Sequence, residues 1–158
     1  PCGTLFPYTT LFRSLAILDG SHAKGGSDGQ NGVRTAGDKG KHIKMQGDWL
    51  VQAHRAGRYR ICLRRWPRES GLGLTEPAPA FQTMCSGPAS PPGVAVPIAR
   101  AALDVDGFQY SSPIADDPTA IHFGVKLDEG LHTLRGGFYD EDNRPLCSAF
   151  YAEVRYVG

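Results

Sequence analysis

Apolar side chains recur at every second residue in several short runs of this chain of 158 residues. The run TAIHFGVKLDEG (119–130) places four of them on one face of a strand, namely Ile121, Phe123, Val125 and Leu127. Runs 101–105 and 150–156 alternate in the same way, and no run of useful length has the 3.6-residue period of a helix. The pattern therefore predicts an all-β protein.

Turn-forming residues separate these runs. The hexapeptide at 140–145, Asp-Glu-Asp-Asn-Arg-Pro, predicts a turn, and the Pro- and Gly-rich stretch 69–97 predicts a long irregular connection. Five or six strands with this punctuation predict an antiparallel β-sandwich, jelly-roll-like, with an irregular N-terminal segment.

Two further alternating runs lie on either side of the tripeptide Arg55-Ala56-Gly57. The residues that share one side are, in the first run, Trp49, Val51 and Ala53 and, in the second, Tyr59, Ile61 and Leu63. Two period-2 runs around a short link that contains glycine predict a β-hairpin. Pro67 ends the second strand because proline cannot donate a ladder hydrogen bond.

The N-terminal segment differs from the rest of the chain. TLFPYTTLFRS (4–14) is apolar but does not alternate, and it resembles, residue for residue, the peptide obtained by translating a common sequencing adapter out of frame. The chain also begins at Pro1 without methionine, as a truncated reading frame would. We therefore expect 1–14 to be a non-native scar and 15–42 to be a Gly-rich polar loop or linker. Residues 43–158 would form the C-terminal β-sandwich domain. Residues 15–18 would be the last strand of whatever preceded residue 15.

Composition excludes several classes of partner and site. The net charge of +1, with acids and bases interspersed, argues against nucleic acid, and no apolar run approaches the length of a membrane span. The histidines are scattered without zinc-ligand spacing, so no catalytic or metal-binding residue is predicted. Cys62 and Cys147 both fall in strand-like runs, where they are either bridged or separately packed as thiols.

The segment RYRICLRRWPRE (58–69) is the densest cluster of candidate binding residues, and from it we predict ligand contacts by Tyr59, Arg60, Arg64 and Trp66. Guanidinium groups present a bidentate fork to sulfate, phosphate or carboxylate, and Trp66 offers a ring for stacking on a sugar or an arginine. The alternative is a solvated sheet face on which the arginines pair with acids, with candidates Asp140, Glu141, Asp142 and Glu153.

The segment GDWLVQAHRAGRYRICLRRWPRES (47–70) resembles the C-terminal accessory region of bacterial arylsulfatases of the alkaline-phosphatase-like superfamily. In that region a strand with a tryptophan leads into an A-G-x-Y turn and an L-R-R-W-P-R-E segment. The closing stretch FYDEDNRPLCSAFYAEVRYV (138–157) is similar to the end of the same proteins. The resemblance spans about 47–158.

The resemblance implies a parent enzyme that hydrolyses sulfate esters with formylglycine and calcium, and it implies a periplasmic or secreted location. The maturation motif Cys/Ser-x-Pro-x-Arg is not matched by residues 85–89, CSGPA, so this chain is expected to be inactive and without a cofactor of its own. The main hypothesis is therefore a structural accessory domain that covers a missing N-terminal catalytic domain and shapes its substrate entrance. The alternative is an autonomous carbohydrate-binding module for anionic glycans, such as a sulfated glycan.

Overall fold

The computed structural model of the chain describes residues 9–10, 15–19, 47–80 and 91–158. Its strands are β1 (Thr9–Thr10), β2 (Leu15–Asp19), β3 (Trp49–Ala53), β4 (Gly57–Arg64), β5 (Arg100–Val105), β6 (Phe108–Pro113), β7 (Ile121–Leu127), β8 (Gly130–Tyr139), β9 (Pro145–Ser148) and β10 (Tyr151–Tyr156). A 3-10 helix covers Arg68–Ser70. None of the helical structure described here is long and apolar enough to cross a membrane.

The strands form two sheets packed face to face. One sheet has the order β1-β3-β8-β5-β6, with β9 beside β8, and the other has the order β2-β10-β4-β7. β3 and β9 lie one after the other along one edge of β8, because β5 occupies its opposite edge. The described pairs are antiparallel, except that β1 runs parallel to β3. The predicted all-β antiparallel sandwich is confirmed.

The alternating residues line the core between the sheets. In β7, Ile121, Phe123, Val125 and Leu127 are buried, and the residues between them are exposed. β5 and β3 bury every second residue in the same way. Full burial of one large aliphatic or aromatic side chain contributes about 1.5–3 kcal/mol, so the alternation fixes which face of each strand turns inward.

The predicted hairpin of β3 and β4 is wrong, since the two strands lie in opposite sheets. β3 pairs with β8, whereas β4 pairs with β10 and β7. Both apolar faces point into the same core, and alternation fixes only the buried face, not the neighbouring strand. The link between the strands is a corner between the sheets, where the Tyr59 hydroxyl donates a hydrogen bond to the Arg55 carbonyl at 2.7 Å.

The sandwich also begins earlier than the predicted boundary at residue 43. β2 pairs with β10, buries Ala16 and Leu18 in the core, and ends at Asp19, whose carbonyl accepts a hydrogen bond from Trp49 Nε1 at 2.8 Å. The strand at 15–18 therefore belongs to this domain, not to a preceding one. β1 falls within the predicted scar; the other residues of 1–14, and 20–42 of the predicted linker, lie outside the described residues.

The described parts of the Pro- and Gly-rich connection, 69–80 and 91–97, contain no strand, as predicted, and residues 69–70 belong to the 3-10 helix. They are held to the sandwich by the fully buried Arg65. Its guanidinium donates hydrogen bonds to the carbonyls of Leu74 at 3.3 Å, Glu76 at 3.1 Å and Val94 at 2.8 Å. Burial lowers the pKa of Arg65 to about 10, which leaves the side chain charged at neutral pH.

His132 joins two turns at one end of the sandwich. Its Nδ1 lies 2.6 Å from Asp106 Oδ2, and its Nε2 lies 2.9 Å from the Asp128 carbonyl. Burial alone would lower the pKa of His132, but the hydrogen bonds with Asp106 and Asp128 outweigh it, and the pKa is raised above 6.5. The imidazolium therefore stabilises the folded state.

The two sheets approach each other closely at Gly136, so we expect Gly136→Ala to destabilise the fold. A Cβ at Gly136 would lie 2.8 Å from Leu63 Cδ1 and 3.2 Å from Ala149 Cβ, both in the packed core. Overpacking of this kind costs about 1–3 kcal/mol, measurable as a lower urea midpoint. Gly124→Ala is the matched control, because a Cβ there meets nothing within 4 Å. Equal midpoints for the two variants would contradict the described packing.

The His132 contacts predict a pH-dependent loss of stability. A pKa raised by folding contributes stability that is fully present below the unfolded value near 6.5 and is lost as the pH rises through the folded value. The difference in free energy of unfolding between the parent chain and His132→Gln should therefore shrink on going from mildly acidic to mildly alkaline buffer. Urea titrations across this range measure it, and a difference that grows with pH would contradict the assignment.

Candidate functional site

The outer face of the sheet β2-β10-β4-β7 carries a group of cationic side chains. On β4, Arg58 and Arg60 are exposed, and they alternate with the core residues Tyr59 and Ile61. Strand pairing places Arg60 between Arg155 of β10 and Gly124 of β7. It also places Arg58 directly opposite Lys126 of β7, and both Lys126 and Arg155 are exposed. We call Arg58, Arg60, Lys126 and Arg155 the basic face.

The four residues predicted to contact ligand do not share one accessible surface. Arg60 is exposed, but Tyr59, Arg64 and Trp66 retain only 3%, 8% and 8% of their exposure. Tyr59 lies in the core, and Trp66 lies in a small cluster with Ala78 and Phe150, where its Nε1 donates to the Glu76 carbonyl at 2.9 Å. Of the four, only Arg60 is accessible to a ligand from solvent.

Arg64 pairs with an acid, as the alternative interpretation of this segment predicted. Its Nε donates to Glu153 Oε1 at 3.0 Å, and its Nη1 donates to Thr119 Oγ1 at 2.7 Å. Glu153 was among the acids named for this pairing, and Arg68 approaches its other oxygen at 3.8 Å. This guanidinium is committed to the fold and is not available to bind an anion.

A second hydrogen-bonded group lies next to the basic face. His122 Nε2 is 2.9 Å from Asp117 Oδ2, and Asp117 Oδ1 accepts hydrogen bonds from the backbone and hydroxyl of Thr119. Burial alone would raise the pKa of Asp117, but the hydrogen bonds from Thr119 and His122 outweigh it and lower the pKa to about 2. Asp117 is therefore a carboxylate at any pH near neutrality.

Cys62 lies directly between Glu153 and His122 on neighbouring strands. Burial raises the pKa of its thiol to about 11, so the sulfur is protonated near neutral pH and is not a nucleophile. Cys62 and Cys147 are both free and buried, which supports the packed-thiol alternative over a bridge between them.

The basic face contains two like-charge pairs across the strands. Arg60 lies opposite Arg155, and Arg58 lies opposite Lys126. Like charges directly opposite each other destabilise a sheet. Within the described residues, none of the four cations takes part in an ion pair with a carboxylate. The repulsion on this face is thus not relieved by a close ion pair with a described acid, and an added anion would reduce it.

An open groove runs beside these cations and has a volume of about 520 Å³. Its accessible lining includes Arg58, Arg60, His122, Gly124, Lys126 and Val157. Gly124 leaves open space at its centre, since a Cβ there meets nothing within 4 Å. The groove therefore has open space at Gly124 and cationic side chains beside it, a geometry suited to binding an anionic group.

In the described part of the chain, no group of three or more His, Cys, Asp or Glu side chains is placed to hold a metal ion. The acidic turn at 140–142 is hydrogen bonded within itself, because Asp140 Oδ1 accepts from the backbone N–H groups of Asp142 and Arg144.

Comparison of the sequence with protein-family models and with curated proteins finds no match. Among solved structures, a family 35 carbohydrate-binding module from Clostridium thermocellum is 16% identical, with a TM-score of 0.42 over 89% of this chain and 97% of its own. CBM35 from Cellvibrio japonicus Abf62 is 13% identical, with a TM-score of 0.42 over 92% and 94%. A ruminal GH26 endo-beta-1,4-mannanase is 13% identical, with a TM-score of 0.47; the matched 96% of this chain spans only 27% of that enzyme.

The prediction of an arylsulfatase accessory domain is wrong as the main interpretation. The three similar structures named above are two carbohydrate-binding modules and a mannanase, not sulfatases. The calcium, the formylglycine and the missing catalytic domain depended on that resemblance alone, and they stay predictions. At these identities and TM-scores the similarity does not assign a ligand, which has to be argued from the site itself.

The buried Cys62 thiol should resist alkylation. With a pKa of about 11, Cys62 should remain unmodified by iodoacetamide at mildly alkaline pH in the native protein and react fully in urea. Peptide mass mapping reports modification at this position separately from the other cysteines. Rapid labelling of native Cys62 would contradict both its burial and its protonation.

Proposed function

We propose that this chain is a carbohydrate-binding module that binds an anionic glycan on the basic face. The observation that carries the proposal is that strand pairing sets like charges opposite each other twice, Arg60 with Arg155 and Arg58 with Lys126. Four exposed cations close together on a sheet, without described acids as partners, form a site for a ligand that brings its own negative charges. Guanidinium groups bind sulfate and carboxylate through two parallel hydrogen bonds.

The groove favours a sugar over a nucleic acid. Single-stranded nucleic acid is held largely by bases stacked on exposed aromatic rings. The two aromatic residues that line this groove, Tyr59 and Phe123, are buried in the core and offer no such ring. The open floor at Gly124 and the 46% exposed side chain of Val157 instead provide a small apolar surface beside the cations. The apolar face of a sugar ring packs on such a surface while its charged substituent contacts an arginine.

The sheet also fixes the positions of the cations. Arg58, Arg60, Lys126 and Arg155 all lie within strands, so their Cα atoms are held by the ladder. A site on strands is more rigid than a site on loops, which lowers the ordering cost of binding. The contacts are at the surface, so binding should weaken as salt screens the charges. We also propose that the chain is periplasmic or secreted.

Replacement of Arg60 tests the proposal, since Arg60 lies at the centre of the basic face. Arg60→Ala should weaken binding of a sulfated or carboxylated oligosaccharide about tenfold or more, the loss expected for one charge-assisted hydrogen bond. Calorimetric titration measures it, after a glycan array has identified the best anionic ligand. Arg144→Ala is the matched control, because Arg144 is an exposed arginine in the 140–145 turn.

Neutral oligosaccharides of the same backbone should bind much more weakly than the anionic ones, and added salt should weaken the anionic ones further. Equal affinity for charged and neutral ligands, or equal loss in Arg60→Ala and Arg144→Ala, would overturn the proposal. Stronger binding of single-stranded nucleic acid than of any acidic glycan would replace the glycan by a different polyanion.

A further inference from the structure

Two grooves meet at the pair formed by Arg58 and Lys126. The first is the groove around Gly124 described above. The second, of about 610 Å³, lies beyond the same pair and is lined by Ala56, Gly57, Arg58, Lys126, Leu127, Asp128 and Gly158. Because both grooves share Arg58 and Lys126, they form one continuous surface along β4 and β7 rather than two separate sites.

The length of this surface follows from the strand that borders it. β7 is at the edge of its sheet among the described strands, and the two grooves together reach from His122 to Asp128. At a rise of roughly 3.3 Å per residue, this stretch is about 20 Å long. A surface of this length is longer than a single sugar ring and matches an oligosaccharide.

The cations occupy two rows on this surface. Arg155 and Arg60 form one row, and Arg58 and Lys126 form the next, two residues further along β4. Rows two residues apart are separated by about 7 Å, and neighbouring strands by about 4.8 Å, so the backbone positions of Arg155 and Lys126 are on the order of 12 Å apart. A chain with repeated anionic groups can contact both rows without drawing the four side chains together at one point.

The second groove contains an acidic side chain, whereas the lining of the first contains none. It ends at Asp128, which is exposed, as is the adjacent Glu129. Carboxylates accept hydrogen bonds from hydroxyl groups and repel sulfate or uronate groups. The surface therefore has a cationic part around Arg60 and Arg58 and a part around Asp128 that is suited to neutral, hydroxyl-rich sugars.

We propose that the ligand is a linear acidic oligosaccharide that lies along β4 and β7 and occupies both grooves. Its anionic groups contact the two cation rows, and an uncharged part of the chain lies against Asp128. Both grooves are open at the surface, so a linear chain can enter them from solvent. This inference rests on the proposed function and specifies the length and charge pattern of its ligand.

A length series tests the extended site. Calorimetry would use the monosaccharide, disaccharide, tetrasaccharide and hexasaccharide prepared from one linear sulfated polysaccharide. We expect affinity to rise with length until the chain fills both grooves and then to level off. The gain between the disaccharide and the longest chains should exceed tenfold.

A blocking variant in the second groove sharpens the test. Ala56 is exposed and lines only that groove, so Ala56→Trp should lower the affinity for the hexasaccharide about tenfold and leave the disaccharide unaffected. Gln109→Trp is the matched control, since Gln109 is exposed on β6 of the opposite sheet. Circular dichroism and urea midpoints show whether both variants remain folded. A second blocking position, Gly124→Trp in the first groove, should weaken every length.

The outcomes separate this inference from the function on which it depends. One combination of results would overturn the extended ligand and leave the proposed function intact. In it, affinity is equal at all lengths, Ala56→Trp has no effect, and Arg60→Ala clearly weakens binding. The site would then be a single anion subsite. No binding of any acidic oligosaccharide above its neutral counterpart would instead overturn the proposed function. Length-dependent binding that Ala56→Trp removes, with Gln109→Trp unchanged, supports both.

Discussion

The pairing of β4 between β10 and β7 is the constraint on which both the core and the basic face depend. The two-residue period of β4 places Tyr59, Ile61 and Leu63 against the opposite sheet and directs Arg58 and Arg60 to solvent. A shift of one residue in this register would exchange the two faces and turn the arginines toward the core. The energy of burying the apolar face therefore also sets the positions of the exposed cations.

The alternation of exposed and buried residues ends within β4, because Cys62 and Arg64 are buried on its outer face, and the residues from Arg64 onward have a structural role. Arg64 pairs with Glu153, Arg65 holds the irregular connection through backbone carbonyls, and Trp66 packs against Phe150. Arg65 stays charged in a buried position because several carbonyls accept its hydrogen bonds and because its guanidinium lies 4.4 Å from the centre of the Trp66 ring. The Leu-Arg-Arg-Trp segment, which carried the resemblance to sulfatases, is thus explained by the packing of this fold.

The sequence predicted what depends on local pattern. Alternation correctly assigned the buried faces of β3, β5 and β7, and the polar hexapeptide correctly predicted the turn at 140–145. The sequence did not predict that β3 and β4 belong to different sheets or that β2 pairs with β10. Strand partners that are far apart in the chain leave no local signal. The same limit applies to the site. Arg60 was predicted, whereas Lys126 and Arg155 become its neighbours only through strand pairing, although both occupy outward positions of alternating runs.

The central claim, that an acidic glycan binds the outer face of β4 and β7, is tested most directly by nuclear magnetic resonance. Uniformly ¹⁵N-labelled protein would be titrated with a sulfated oligosaccharide, and the amide shifts would be followed at low and high salt. The account predicts salt-sensitive shifts concentrated at Arg58, Arg60, Gly124 and Lys126. Shifts confined to the opposite sheet, for example around the exposed Phe108 and Tyr110 of β6, or no shifts at saturating ligand, would contradict it.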